Sequence, residues 1–391
     1  MSWEMVKLSE VSSFIRNGLS IKQDSSLSGV PITRIETISD RTVNLEKCGY
    51  ADLKPTDNLD YKLEKGDILI SHINSPKHLG KSAQFNGEEH LIHGMNLLCL
   101  RPSDKVDARY LYLAINSSHF LNQLPNISNK SVNQASFKVS EFKSLNVHLP
   151  PLPEQQRIAD ILDKAEAINQ KREQALALCD EFLRATFLNM FGDPVSNPKG
   201  WEVKKLSKFG EVITGSTPSR GRPEYYGNHI EWIKSDNINT PNNYITRAKE
   251  FLSVEGESVG RSVPENSILM TCIAGSLDCI GNIALADRKV SFNQQINGIV
   301  PNNDVDVYFL YSLLLYSKKY IQNHSTNSMK GMISKGKLSE IKFYLPEMAI
   351  QKEFSDIFLK IESLRNKIQH AQKLPLFDAL SQQAFKGELT Q

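Results

Sequence analysis

From Glu154 to Phe191 the chain contains no proline or glycine, and apolar residues return every three or four positions: Ile158, Ile161, Ala165, Ile168, Ala175, Cys179 and Phe182. Leu162, Leu176 and Leu183 widen the stripe on one side, and Arg172 interrupts it. That period is the mark of a helix with one buried face. At about 1.5 Å per residue the segment would be about 57 Å long, which exceeds one small core and predicts a coiled-coil arm. A second stripe, Phe354, Ile357, Ile361, Leu364, Ile368 and Ala371, stops at Pro375, which should end or kink that helix. Elsewhere the pattern is of short β-type runs, Asp67–Ser71 and Ser267–Thr271, among loops rich in Gly, Asn and Ser. Apolar helix candidates lie at Ala108–Ile115 and Val307–Tyr316.

These elements come in matched pairs because the chain repeats itself. Trp3–Glu4 and Lys7–Leu8–Ser9 return as Trp201–Glu202 and Lys205–Leu206–Ser207. Leu63 to Ile73 aligns with Val263 to Ile273, Asp107 with Asp306, and Ser140–Glu141 with Ser339–Glu340. Gln155, Asp160, Ile161, Lys164, Glu166 and Lys171 match Gln351, Asp356, Ile357, Lys360, Glu362 and Lys367. A repeat of about 195 residues is too long for a solenoid unit, so each copy is domain-sized. The expected fold class is α+β: two similar globular domains, 1–150 and 192–346, separated by two long antiparallel coiled-coil helices, 151–191 and 347–391. The duplication gives this plan a pseudo-two-fold symmetry.

Composition narrows the class. The chain has 391 residues, 40% of them hydrophobic and 23% charged, and no apolar run long enough to cross a bilayer. MSWEMVKLSE has charges where a signal peptide would have its apolar centre, so a cytoplasmic location is expected. Cys48, Cys99, Cys179, Cys272 and Cys279 form no CxxC pair and are expected to be reduced, mostly buried thiols. Taken alone, the net charge of +2 argues against nucleic acid, but it averages over segments. Residues 1–153 hold 17 basic and 16 acidic residues, and 192–346 hold 18 and 15. The helical segments hold 5 and 7, then 6 and 6. The globular parts carry the cationic excess, whereas the helices suit protein docking.

The acids are also unevenly placed. None lies between Asp107 and Glu141, and none between Asp306 and Glu340. These equivalent windows hold Arg109, Lys130, Lys138, Lys318, Lys319, Lys330, Lys335 and Lys337. A carboxylate there would face phosphates if the surface met DNA, where charge recurs about every 1.7 Å. A buried helix followed by a neutral loop would leave the same gap. Base reading needs donors and acceptors in a groove. Copy one offers Arg34 near Glu36, Asn74 to His78 (with Lys77) beside Lys81, and Asn129 to Gln134. Copy two offers Ser216, Thr217, Arg220, Arg222, Lys234, Asp236, Asn237 and the Asn327–Lys337 loop.

LPPLPEQQRIADILDKAEAI (Leu149 to Ile168) closes the first copy; YLPEMAIQKEFSDIFLKIESL and QAFKGEL (Gln383 to Leu389) close the second. Together they resemble the two conserved regions of type I restriction–modification specificity subunits. GSTPS (Gly215 to Ser219), Tyr225–Tyr226 and IEWIKSDNI (Ile230 to Ile238) look like the opening of a target-recognition domain of that family. The second junction lacks the PPLPEQ wording, and the first domain has Gly18–Leu–Ser in place of GSTPS. The resemblance implies a non-catalytic DNA-specificity subunit with two target-recognition domains, each reading one half of a split double-stranded site. It implies helices that set the gap and dock two methyltransferase subunits, with restriction subunits recruited through them. Candidate docking and spacer positions are Gln155, Gln156, Ile158, Ile161, Ile168, Gln351, Phe354, Ile357, Ile361 and Leu364. S-adenosylmethionine, ATP and magnesium would be held by those partners, with no cofactor or metal in this chain and no membrane partner.

Other signals fall away. Gly331 to Lys337 approaches a phosphate-binding loop, but Leu338 stands where Ser or Thr is required. His72, His78, His90 and His93 crowd one segment without a cysteine or acidic pattern for zinc, and are expected in loops or facing DNA. No glycine-rich cofactor motif and no Asn/Asp–Pro–Pro–aromatic motif is present, which opposes a self-contained modifying enzyme. The remaining alternative is a duplicated coiled-coil scaffold that joins proteins without reading DNA.

Overall fold

The computed structural model describes residues 3–24, 29–76, 78–130, 135–325, 331–370, 376–386 and 388. Two compact units divide the chain, one of Met1–Glu173 with Gln372–Gln391 and the other of Gln174–Ala371. Both mix helices and strands, and both follow one plan.

Each unit is built on a four-stranded antiparallel sheet. In the first unit the order is Ser12–Asn17, Leu97–Pro102, Ile68–Ser71, Ser82–Gln84; in the second it is Gly210–Thr214, Ile296–Pro301, Ser267–Thr271, Ile283–Ala286. Ile68–Ser71 and Ser267–Thr271 are continuous apolar runs because both of their faces are covered. Ile68 and Ile70 face the core that holds Tyr110, Leu111 and Phe120, while Leu69 joins Ala83, Phe85, Leu91 and Cys99 on the other side. Ile268 and Met270 against Leu269 repeat the division. A small sheet pairs Glu4–Lys7 with Asn146–Leu149, and its counterpart pairs Val203–Lys205 with Lys342–Tyr344.

The core helices Ala108–Asn116 and Val307–Tyr316 begin where the acidic residues stop, and the reason is capping. Asp107 accepts from the Tyr110 amide at 2.8 Å, and Asp306 accepts from the Tyr308 and Phe309 amides at 2.9 and 3.0 Å. Most residues of the helices that follow are buried, so burial accounts for the missing acids in that third of each window. Arg109 is bound to Asp163 of its own unit, its Nε donating at 2.7 Å.

The long helix spans Leu152–Phe191. Pro153 and Glu154 lie in its first turn, where a missing amide and a negative charge are tolerated or favoured. Gly192, at φ +83°, ends it in the left-handed conformation open to glycine. Within the first unit, Ile158, Ala159 and Leu162 share the core with Ala384 and Phe385 of the helix Leu376–Lys386. Within the second, Leu183, Phe187 and Phe191 pack on Phe354 and Phe358 of the helix Met348–His370. Asp180 pairs with Arg365 while Phe187 lies 5.4 Å from Phe354, so these two stretches run antiparallel.

The buried stripes differ from the periodicity reading in detail. Phe182 is 52% exposed and Ile168 41%, whereas Leu183 is buried beside Phe187. Along Met348–His370 the buried set is Gln351, Phe354, Ser355, Phe358, Glu362 and Arg365. Ile357 and Ile361 are half-buried and Leu364 is exposed. The helix is turned so that polar residues enter the interface, where Glu362 finds partners: Asn243 donates to it at 2.7 Å and Tyr311 donates to Asn243 at 3.2 Å. Ala371 and Pro375 lie outside the described residues. Cys48, Cys99, Cys179 and Cys272 are buried free thiols and Cys279 is half-buried.

Candidate nucleic-acid interface

At one end of each sheet the same construction appears. In the second unit the strand Gly210–Thr214 leaves the sheet at Gly215. A Cβ there would stand 2.1 Å from the Asn293 carbonyl oxygen, so only glycine lets this loop lie against the Phe292–Asn293 turn. The Gly215 amide donates to Ile296 and the Ser216 amide to Phe292, each at 3.0 Å. Thr217 is then hydrogen-bonded to Gln294.

Beyond that loop stands a cation–aromatic cluster. The Arg220 guanidinium lies 4.4 Å from the Tyr226 ring centre and 5.1 Å from that of Trp232, and pairs with Glu250 at 2.6 Å. Lys234 reaches the same carboxylate and lies 5.1 Å from the Trp232 ring. Arg222 stands over Tyr225 and donates to its hydroxyl at 2.9 Å. Bonds from Lys234, then Arg220, hold the Glu250 carboxyl below its usual pKa. One carboxylate therefore fixes two cations and leaves an excess positive charge on aromatic faces. Such a surface can contact phosphates through cations and base edges through the arginine fork.

Lys335 and Lys337 of the second acid-free window follow a segment that starts at the same end. Gln295 accepts from the Cys272 and Ile273 amides at 2.8 and 3.1 Å, and Ile273–Ala274 pairs with Gly331–Met332. Ser334 follows and caps the helix Lys335–Glu340, its hydroxyl accepting from the Lys337 amide at 3.3 Å. Lys335 and Lys337 are exposed; Lys330 lies outside the described residues.

The first unit repeats this with other side chains. A Cβ on Gly18 would stand 2.1 Å from the Gly94 carbonyl oxygen. The Leu19 amide donates to His93 at 2.8 Å, and Ile73–Asn74 pairs with Ala135–Ser136. Arg34 precedes the short helix Ile35–Ile38 as Lys234 precedes Ser235–Asn237, and its side chain donates to Gln23 and to the Asp24 carbonyl. Lys138 is exposed ahead of Val139–Lys143. Lys81 is tied to the Ser39 carbonyl at 2.6 Å. The backbone of Lys130 pairs with Ala135; its side chain, like the whole of Lys77, lies outside the described residues. The structure thus gathers the described candidates of each copy around one sheet end. Glu250 and Gln294, which hold the second cluster in place, carry no local sequence signal.

Two of the four histidines are not in that surface. His72 is 6% exposed and packs on Phe137, and His93 is 1% exposed with Nε2 bonded to the Leu97 carbonyl at 3.0 Å. Among the described residues no cluster of three or more metal-type side chains exists. Burial drives the His93 pKa down from 6.5 to about 4, with Arg16 and His72 also opposing and Asp67 favouring its charge. The unfolded chain takes up this proton near pH 6.5 and the folded unit only near 4. Stability is therefore full above pH 6.5 and falls through that window, by about 3 kcal/mol at its acid end. Thermal unfolding followed from pH 7 to 4 should show the first unit losing its midpoint, and a flat profile would refute the assignment.

The helix candidates divide by exposure. Gln155, Ile158, Gln351 and Phe354 are buried within their own units, which removes them as partner contacts. Ile161, Ile357 and Ile361 are half-buried, while Gln156, Ile168 and Leu364 are exposed. Leu178, 62% exposed, adds an apolar position one turn before Phe182. Among the described residues no helix is long and apolar enough to cross a membrane.

Comparison with known proteins covers both copies. The family model for the type I restriction modification DNA specificity domain matches residues 1–178 and 198–375. A Methanocaldococcus jannaschii chain assigned to the specificity subunit of the type I restriction enzyme MjaX is 31% identical over 382 residues, covering 93% of this chain and 87% of that one. The HindI specificity subunit of Haemophilus influenzae is 30% identical over 201 residues, 49% of this chain and 42% of that one. The crystal structure of a type I restriction–modification S subunit from M. genitalium has a similar fold. Its TM-score is 0.61 at 14% identity, covering 98% of this chain and 96% of that one.

Proposed function

The chain belongs to the type I restriction–modification DNA specificity family, and from that premise we propose that it reads a split double-stranded DNA site for a methyltransferase complex. Each unit addresses one half-site with the sheet end that carries Gly18, Arg34 and Lys138 in the first copy. In the second copy that end carries Gly215, Arg220, Lys234 and Lys335. The observation that carries this reading is the duplication of that end: glycine-anchored loop, buried turn and cationic rim recur while the side chains differ. Two scaffolds with different surface chemistry are what a site of two unlike halves requires. Phosphate contacts would set the register of each unit, and base-edge contacts its sequence.

The chain itself performs no chemistry in this proposal. Two methyltransferase subunits dock on the helices, where Ile168, Leu178, Phe182 and Leu364 offer exposed apolar area. They supply S-adenosylmethionine and flip the target adenine out of the duplex. Restriction subunits bring ATP and magnesium. Methylome sequencing of the host with and without the gene tests the whole reading. One split methylated motif should vanish with the gene and return when it is restored. An unchanged methylome would leave the chain a scaffold.

A further inference from the structure

Gln155 and Gln351 make the same three hydrogen bonds in the two units. Gln155 Oε1 accepts from the Asp107 amide at 2.7 Å, and its Nε2 donates to the carbonyls of Pro150 at 2.8 Å and Lys105 at 3.3 Å. Gln351 Oε1 accepts from the Asp306 amide at 2.8 Å, and its Nε2 donates to Pro346 at 2.7 Å and Asp304 at 3.4 Å. Their exposures are 1% and 0%. Each amide therefore joins three pieces of backbone: the proline before its own helix, the turn before the core helix, and the cap of that core helix. Only a side chain with an acceptor on one side and two donors on the other can do this. Glutamate keeps the first bond and loses the others.

The place of this junction gives it leverage. The strand Leu97–Pro102 starts at the reading end and finishes just before Lys105; Ile296–Pro301 likewise finishes just before Asp304. At ~3.4 Å per residue a six-residue strand is an arm of about 20 Å. A tilt of about 10° at the clamp would then move the reading end by about 3.4 Å, the rise of one base pair.

Resting on the proposed reading of a split site, we propose that Gln155 and Gln351 are positioning residues: they lock each reader to its own helix and so fix the number of base pairs accepted between the half-sites. The test uses the chain assembled with the methyltransferase subunits of its own system. DNA substrates keep both half-sites and vary the gap by one or two base pairs around the native length. Q155A or Q351A should raise the ratio of off-gap to native-gap methylation at least tenfold, with both half-site sequences still required. Q351M, which keeps the side chain's length but makes none of the three bonds, should raise it as much, and it supplies the measurement if an alanine variant does not assemble. A uniform fall in methylation with the ratio unchanged would mean the glutamines are merely structural and would overturn the proposal, as would no change at all. If the unsubstituted complex methylates no split site, the functional reading fails instead.

Discussion

Replacing Phe187 by alanine is expected to cost the second unit about 3–5 kcal/mol of folding free energy, the usual range for deleting a fully buried phenyl ring. The ring has no exposure and lies 5.0 Å from Phe191, 5.4 Å from Phe354, 5.1 Å from Tyr316 and 6.1 Å from Phe309. It therefore joins the long helix, the helix Met348–His370 and the core helix Val307–Tyr316 at one point. Its neighbours are themselves aromatic and tightly placed, so the site cannot collapse to fill the cavity. Denaturant unfolding of the full chain should show the second unit's transition moving to lower urea with the first unit's transition unmoved. A shift below about 1 kcal/mol would show that these helices are held mainly by other contacts.

Gly215→Ala should act on recognition instead. The added methyl would fall 2.1 Å from the Asn293 carbonyl oxygen and 2.6 Å from the Phe292 ring, so loop or turn must move. Either shift breaks the line from Thr217 through Gln294 that fixes the loop beside Arg220. Affinity for the half-site read by the second unit should fall at least about tenfold, or 1.4 kcal/mol, while the other half-site is still discriminated. Competition binding with duplexes altered in one half at a time measures this. Equal binding by variant and parent would place the loop away from the DNA.

Much of this architecture could be read from residues with strong local rules. Pro150, Pro151 and Gly192 bracket the long helix in sequence as they do in space. The Asp107 and Asp306 caps mark both core helices. What escaped depends on partners far along the chain. Periodicity selects apolar residues, so it placed Leu364 inside and left Glu362 and Arg365 out. The structure reverses this because Asn243 and Asp180 await those charges. Phe182 and Leu183 are one residue apart and equally apolar, and only the position of Phe187 in the packed layer separates them. His72 and His93 read as surface residues because no local pattern announces that strands will close over them. Candidate cations were legible as types and regions. The carboxylate that holds Arg220 and Lys234 against the aromatic faces was not, because Glu250 comes from a different stretch of chain.

The helix Leu376–Lys386 carries a consequence for biosynthesis. Phe385, 5.8 Å from Tyr110, closes the first unit's core with a residue more than two-thirds of the chain downstream. On the ribosome the sheet and core helix of the first unit are made first, yet the layer that closes them is translated only after the whole second unit. The second unit has all its core residues by Ala371. The order of synthesis and the order of completion are therefore reversed, and until Ala384 and Phe385 emerge the nascent first unit exposes the apolar surface they will cover.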